Sequence, residues 1–82
     1  MKIFIKNLDE NINELWLEAL LTKFGKVIST KVIYDKITWE SRGFAFVEME
    51  KEEDAQKAIK TLNGKKLRGQ ELIVTEAEER GK

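Results

Sequence analysis

The sequence predicts an α+β fold with two helices packed on one face of a four-stranded antiparallel sheet, and three observations carry that prediction. Two amphipathic stretches alternate with short β-prone runs in the order β-α-β-β-α-β. The chain has 82 residues, enough for one small core, since single domains run from roughly 50 to 250 residues. It is 41% hydrophobic and 37% charged, the balance of a globular domain rather than of a disordered chain.

Ile3-Phe4-Ile5 is β-prone, is closed by the turn-forming Asn7-Leu8-Asp9, and makes the first strand. Asn13 is placed to cap the first helix, where Leu17, Leu20, Leu21 and Phe24 recur at helical spacing until Gly25 supplies the stop. Val27, Thr30 and Val32 take the buried positions of the second strand. Gly43 to Met49 is the third strand, and the polar Asp35 to Arg42 is its hairpin loop. Glu52 to Leu62 forms the second helix, with Ala55, Ala58, Ile59 and Leu62 on one face and acids in the first turn to suit the helix dipole. It ends at Asn63-Gly64, and Leu72 to Thr75 makes the last strand. This is the ferredoxin-like arrangement, with sheet order 4-1-3-2 and one sheet face left open. Residues 1–77 are read as the domain and residues 78–82 as a polar C-terminal tail expected to lack order.

Composition removes several kinds of chemistry. The sequence has no cysteine and no histidine, which takes away disulfides, thiolate nucleophiles, the usual zinc ligands and the commonest general base. An enzyme is therefore not expected, nor a cofactor, a metal or a small-molecule substrate. The apolar runs fall far short of the roughly 18 residues a membrane span needs, and strand-like sequence follows Met1 without a signal-peptide core. No membrane association is expected, and the expected location is cytoplasmic. Fifteen Lys and Arg balance fifteen Asp and Glu, so the overall basic footprint of a nucleic-acid binder is missing. The segment from Lys23 to Arg42 partly restores it, with five basic residues against two acidic ones.

Alternation along the third strand puts Ala45, Val47 and Met49 inward and Phe44, Phe46 and Glu48 outward. By the same parity Phe4 joins them on the face that no helix covers. Three exposed rings form an apolar patch that monomers seldom present without use. Bases offer flat π-faces to such rings; the plainer alternative is that the rings pack beneath a tail or a partner. Lys6, Lys31, Ile33, Ile73 and Thr75 share the open face by parity. For the polar members the alternative is an ordinary solvated residue.

At these residues the chain resembles a known family. Arg42-Gly43-Phe44-Ala45-Phe46-Val47-Glu48-Met49 is similar to the octamer of the RNA recognition motif (RRM), departing only at its last position. Ile3-Phe4-Ile5-Lys6-Asn7-Leu8 is similar to the companion hexamer, and the likeness extends over residues 2 to 77. The ending Phe-Val-Glu-Met and the run Val74-Thr75-Glu76-Ala77 most resemble the small single-domain RRM proteins of bacteria. The resemblance implies that single-stranded RNA, or single-stranded DNA, is the partner. Phe4 and Phe44 would stack bases, Phe46 would meet sugar rings, and Arg42 would pair with a phosphate. The remaining open-face positions, Lys6, Lys31, Ile33, Glu48, Ile73 and Thr75, would set which bases are tolerated.

Two departures from the family pattern suggest another use. Trp39 stands where glycine is usual, and Glu40 where a basic residue is common. Leu15, Trp16 and Ala19 add a second apolar stripe to the first helix. Trp16 and Trp39 belong to the same end of the expected topology, so a protein partner or self-association there is the alternative function. The plainer expectation is that each tryptophan lies over neighbouring aliphatic chains. A hydrolase of the acylphosphatase type on this topology is disfavoured, because Leu8 to Asn13 has neither the glycines nor the arginine of a phosphate-cradling loop.

Overall fold

The computed structural model describes residues 1–77; the tail expected over 78–82 lies outside the described residues. The elements follow in the order β1 (Lys2–Lys6), α1 (Glu14–Thr22), β2 (Val27–Tyr34), β3 (Ser41–Met49), α2 (Glu52–Leu62), β4 (Lys66–Leu67), β5 (Gln70–Glu71) and β6 (Ile73–Ala77). The main sheet runs β2-β3-β1-β6 with all pairs antiparallel. That is the order 4-1-3-2 read from the sequence, with β6 as the fourth major strand. The inward residues of the main sheet meet the helices. Ile3, Ile5, Val32, Ala45, Val47, Met49 and Val74 pack with Leu17 and Leu21 of α1 and with Ala55, Ala58 and Leu62 of α2. Met49 is fully buried, so the residue departing from the octamer belongs to the core.

Local chemistry explains the element ends. Asn13 caps α1 by accepting the Trp16 backbone N–H at 3.0 Å. The helix stops at Thr22, earlier than the apolar spacing suggests, and Phe24 continues in a turn that donates to the Leu21 carbonyl. Gly25 follows that turn where a Cβ would overlap the Asp54 carboxylate, so its role is close packing against α2. Glu14, in the first turn of α1, reaches across to β2, accepting the Val32 N–H at 3.2 Å and the Tyr34 hydroxyl at 3.1 Å. Because β2 is an edge strand, this carboxylate occupies a backbone donor that would otherwise face outward.

The structure corrects the sequence reading in three places. The spacing between the inward-facing Val27 and Thr30 does not fit strict alternation, and a register irregularity between Val27 and Ser29 absorbs it. The β2–β3 loop is shorter than expected, since β3 begins at Ser41 and Arg42 lies in the strand. Between α2 and β6 the chain also forms a small hairpin, β4–β5, that the sequence reading did not include. Arg68 (φ 54°) and Gly69 (φ 86°) make its two-residue turn, the pair of left-handed conformations that suits the twist of a tight hairpin.

Candidate nucleic-acid interface

The register builds the open face in rows. Phe4 stands opposite Phe46 on one side and Thr75 on the other, and Phe46 stands opposite Lys31. Lys6 stands between Phe44 and Ile73. Lys2 stands between Glu48 and Ala77, with Ser29 beyond Glu48 on β2. All the open-face residues named from the sequence therefore share one surface, Ile33 included, which borders a shallow depression with Phe46, Lys31 and Glu48. Lys2, Ser29 and Ala77 complete it. The alternation that selects Phe4 also selects Lys2, and the same holds for Ser29 beside Lys31 and Ala77 beyond Thr75.

The three phenylalanines form one packed group. Phe4 and Phe46 stack with centroids 4.9 Å apart and planes 22° from parallel. Phe44 meets Phe4 edge-on at 5.8 Å and 67°. Each ring is half-buried. They support one another from the side, and no helix covers them. Such contacts fix ring orientation and contribute about 0.5–1.5 kcal/mol per pair beyond area burial.

Gly43 sets the geometry at the end of this face. Its φ of 85° lies in the left-handed region, beside a second register irregularity between Val32 and Tyr34. Its carbonyl accepts the Leu8 N–H at 2.9 Å, tying β3 to the end of β1. A Cβ there would lie 3.6 Å from the Leu8 carbonyl oxygen, an ordinary contact. Glycine is required by the backbone conformation rather than by close approach. Asn7, also left-handed at φ 62°, is held from the β4–β5 hairpin. Its amide donates to the Glu71 carbonyl at 2.7 Å, and Gln70 donates to the Asn7 carbonyl at 3.1 Å.

Arg42 lies beside Lys6, Gly43, Phe44 and Ile73 at the border of the open face. Its guanidinium also pairs with Asp35 at 3.2 Å. Asp35 organises the whole β2–β3 loop. It accepts the backbone N–H groups of Ile37 and Thr38, while Trp39 N–H donates to its carbonyl and its own N–H donates to Glu40. The Thr38 and Ile37 amides, with help from Arg42, hold the Asp35 carboxyl below its ordinary value of 3.8. Burial, reinforced by the hydrogen bond to Glu14, pushes the Tyr34 phenol above its ordinary range.

The two tryptophans have different surroundings. Trp16 lies on the exposed stripe of α1 with Leu15 and Ala19, and the Arg68 guanidinium sits 5.9 Å from its ring centre. Arg68 also pairs with Asp9 at 3.5 Å. Trp39 borders Glu10, Asn11, Tyr34 and Glu40. Both thus flank the β1–α1 loop, with no ring contact between them among the described residues. Trp39 is 76% exposed and does not lie over aliphatic chains as expected. The reason is its loop, which closes on its own polar atoms and holds Trp39 at φ 64°.

The helix-free sheet face of this β-α-β-β-α-β domain thus carries three phenylalanines, with Phe4 packed against both Phe44 and Phe46, and several lysines. The family follows from sequence: the RNA recognition motif model matches residues 3–73, and the chain belongs to that family. Among curated proteins, a 29 kDa chloroplast ribonucleoprotein of Arabidopsis thaliana is 39% identical over 96% of this chain and 23% of its own length. A 31 kDa chloroplast ribonucleoprotein of Nicotiana sylvestris is 40% identical over 99% of this chain and 26% of its own. The chain thus spans about a quarter of the length of these relatives. Among solved structures, RNA binding protein PG1 superposes with a TM-score of 0.94 at 46% identity, covering 100% of this chain and 99% of that one. A Sxl-lethal protein/RNA complex superposes with a TM-score of 0.90 at 32% identity, covering 98% of this chain and 48% of that one.

Proposed function

We propose that the open sheet face binds single-stranded RNA, and that the domain works as a binding module rather than as an enzyme. The observation that carries this reading is the group of Phe4, Phe44 and Phe46, half-buried and held in fixed orientations on the one face that the helices leave uncovered. Rings in that setting offer stacking platforms, and a base stacked on an aromatic side chain is worth about 1–3 kcal/mol. Phe4 and Phe44 each take a base, Phe46 meets the sugar between them, and Lys6, Lys31 and Arg42 meet phosphates. The names of the relatives, two ribonucleoproteins and an RNA complex, support the same reading.

A duplex is a poor ligand for this surface. Its bases hide their π-faces within the stack, and a flat sheet fits neither groove of A-form RNA. With about three cations meeting phosphates, the logarithm of affinity falls against the logarithm of salt with a slope of roughly −2. The test is fluorescence anisotropy with a single-stranded RNA of random sequence, the same length of duplex, and the matching single-stranded DNA, over a range of salt. The reading predicts binding of the single strand, weak binding of the duplex and a shallow slope. Equal affinity for the duplex, or a steep slope, contradicts it; DNA binding as tight as RNA binding removes the preference for RNA.

A further inference from the structure

One charge on the open face is of the wrong sign for a surface that meets phosphates. Glu48 is half-buried at the outer row of β3, between Lys2 and Ser29, and has no hydrogen bond or ion pair among the described residues. It shares a depression with Phe46 and Lys31. We propose that this depression is a guanine-selective subsite in which Glu48 reads the base edge; the proposal rests on the RNA-binding reading above.

A carboxylate only accepts, and its two oxygens accept two parallel N–H bonds best. It repels phosphate, so what it meets in a bound strand is a donor, a ribose 2′-hydroxyl or a base edge, and only a base edge offers two parallel donors. Guanine alone among the four bases presents two adjacent donors on its Watson–Crick edge, the ring N1–H and the exocyclic amine. Adenine and cytosine place a ring-nitrogen lone pair beside their amine, which would face a carboxylate oxygen. Uracil has a single N–H flanked by two carbonyls. Phe46 lies two residues before Glu48 on the same face, roughly 6.7 Å along the strand, so a nucleotide whose sugar rests on that ring brings its base edge to the carboxylate. The guanine acceptors O6 and N7 suit a donor such as Lys31, which borders the same depression.

The test uses the whole chain and uridine hexamers that carry one guanosine at each position in turn, or inosine, adenosine or cytidine in its place. Inosine keeps N1–H and lacks the amine. Expected is one position at which guanosine tightens binding about tenfold over the other bases, within the range of a good bidentate contact, with inosine losing most of that gain. In Glu48→Gln and Glu48→Ala the guanosine-to-inosine ratio falls towards one. If the native protein binds every hexamer but treats guanosine and inosine alike, the subsite is refuted while the RNA-binding reading stands. Persistence of the ratio in both variants refutes the role of Glu48. Failure of every hexamer to bind overturns both readings.

Discussion

Single residues explain most of the site's logic. Phe44 is half-buried on the sheet face and meets the Phe4 ring edge-on, so its truncation removes a stacking platform without opening the core. Phe44→Ala is expected to weaken RNA binding by about 1–3 kcal/mol and to leave the cooperative thermal transition in place, as titration and melting of the same sample will show. Trp39 is a different case. It holds a left-handed φ of 64° at the end of a tight loop, which accounts for glycine being usual there. The conformation costs an ordinary residue about 1–2 kcal/mol, and glycine returns part of that through its greater freedom in the unfolded chain. Trp39→Gly is therefore expected to stabilise the domain by about 0.5–1 kcal/mol in urea unfolding. A loss of stability would mean that the ring makes a contact worth more than the strain. Alternation placed Phe4, Phe44 and Phe46 on the open face; it could not show the left-handed Gly43, because it reports which face a side chain takes and says nothing about the sign of φ.

At the scale of elements, the strands were read more surely than their ends. Period-two alternation is unambiguous in Phe44 to Met49, where large and small residues take opposite faces. It fails at the start of β2, where a bulge shifts the phase, and in the β4–β5 hairpin, whose two-residue strands are too short to show a period. The one available signal for that hairpin was Arg68-Gly69, a weaker turn pair than Asn-Gly. The β2–β3 loop shows how polar atoms, not apolar contacts, order an element. Asp35 accepts from the amides of Ile37 and Thr38 and pairs with Arg42. Its carboxyl is held below its ordinary value of 3.8, so this contribution is fully present above that pH and is lost as pH falls through the lower folded value. Acidification is thus expected to loosen this loop, seen as exchange broadening of the Ile37 and Thr38 amides below about pH 4. In Asp35→Asn the same amides are expected to show a weaker pH response. An unchanged response would assign the titration to another group.

For the whole molecule, topology decides what the sequence composition conceals. Fifteen positive and fifteen negative charges cancel over the chain, yet among the described residues the fold sets Lys2, Lys6 and Lys31 on the open face with Glu48. Net charge was a poor guide because it carries no information on which face a residue occupies. The second apolar feature, Leu15, Trp16 and Ala19, lies on α1 and not on the sheet. The central claim is that the open face binds single-stranded RNA, and backbone amide shifts of isotope-labelled protein during titration with a short random-sequence RNA test it most directly. The account predicts shifts centred on Phe4, Phe44 and Phe46 and spreading to Lys6, Lys31 and Glu48, with little response to a duplex of equal length. Shifts confined to α1 and the β1–α1 loop around Trp16 and Trp39, with the sheet silent, would contradict it.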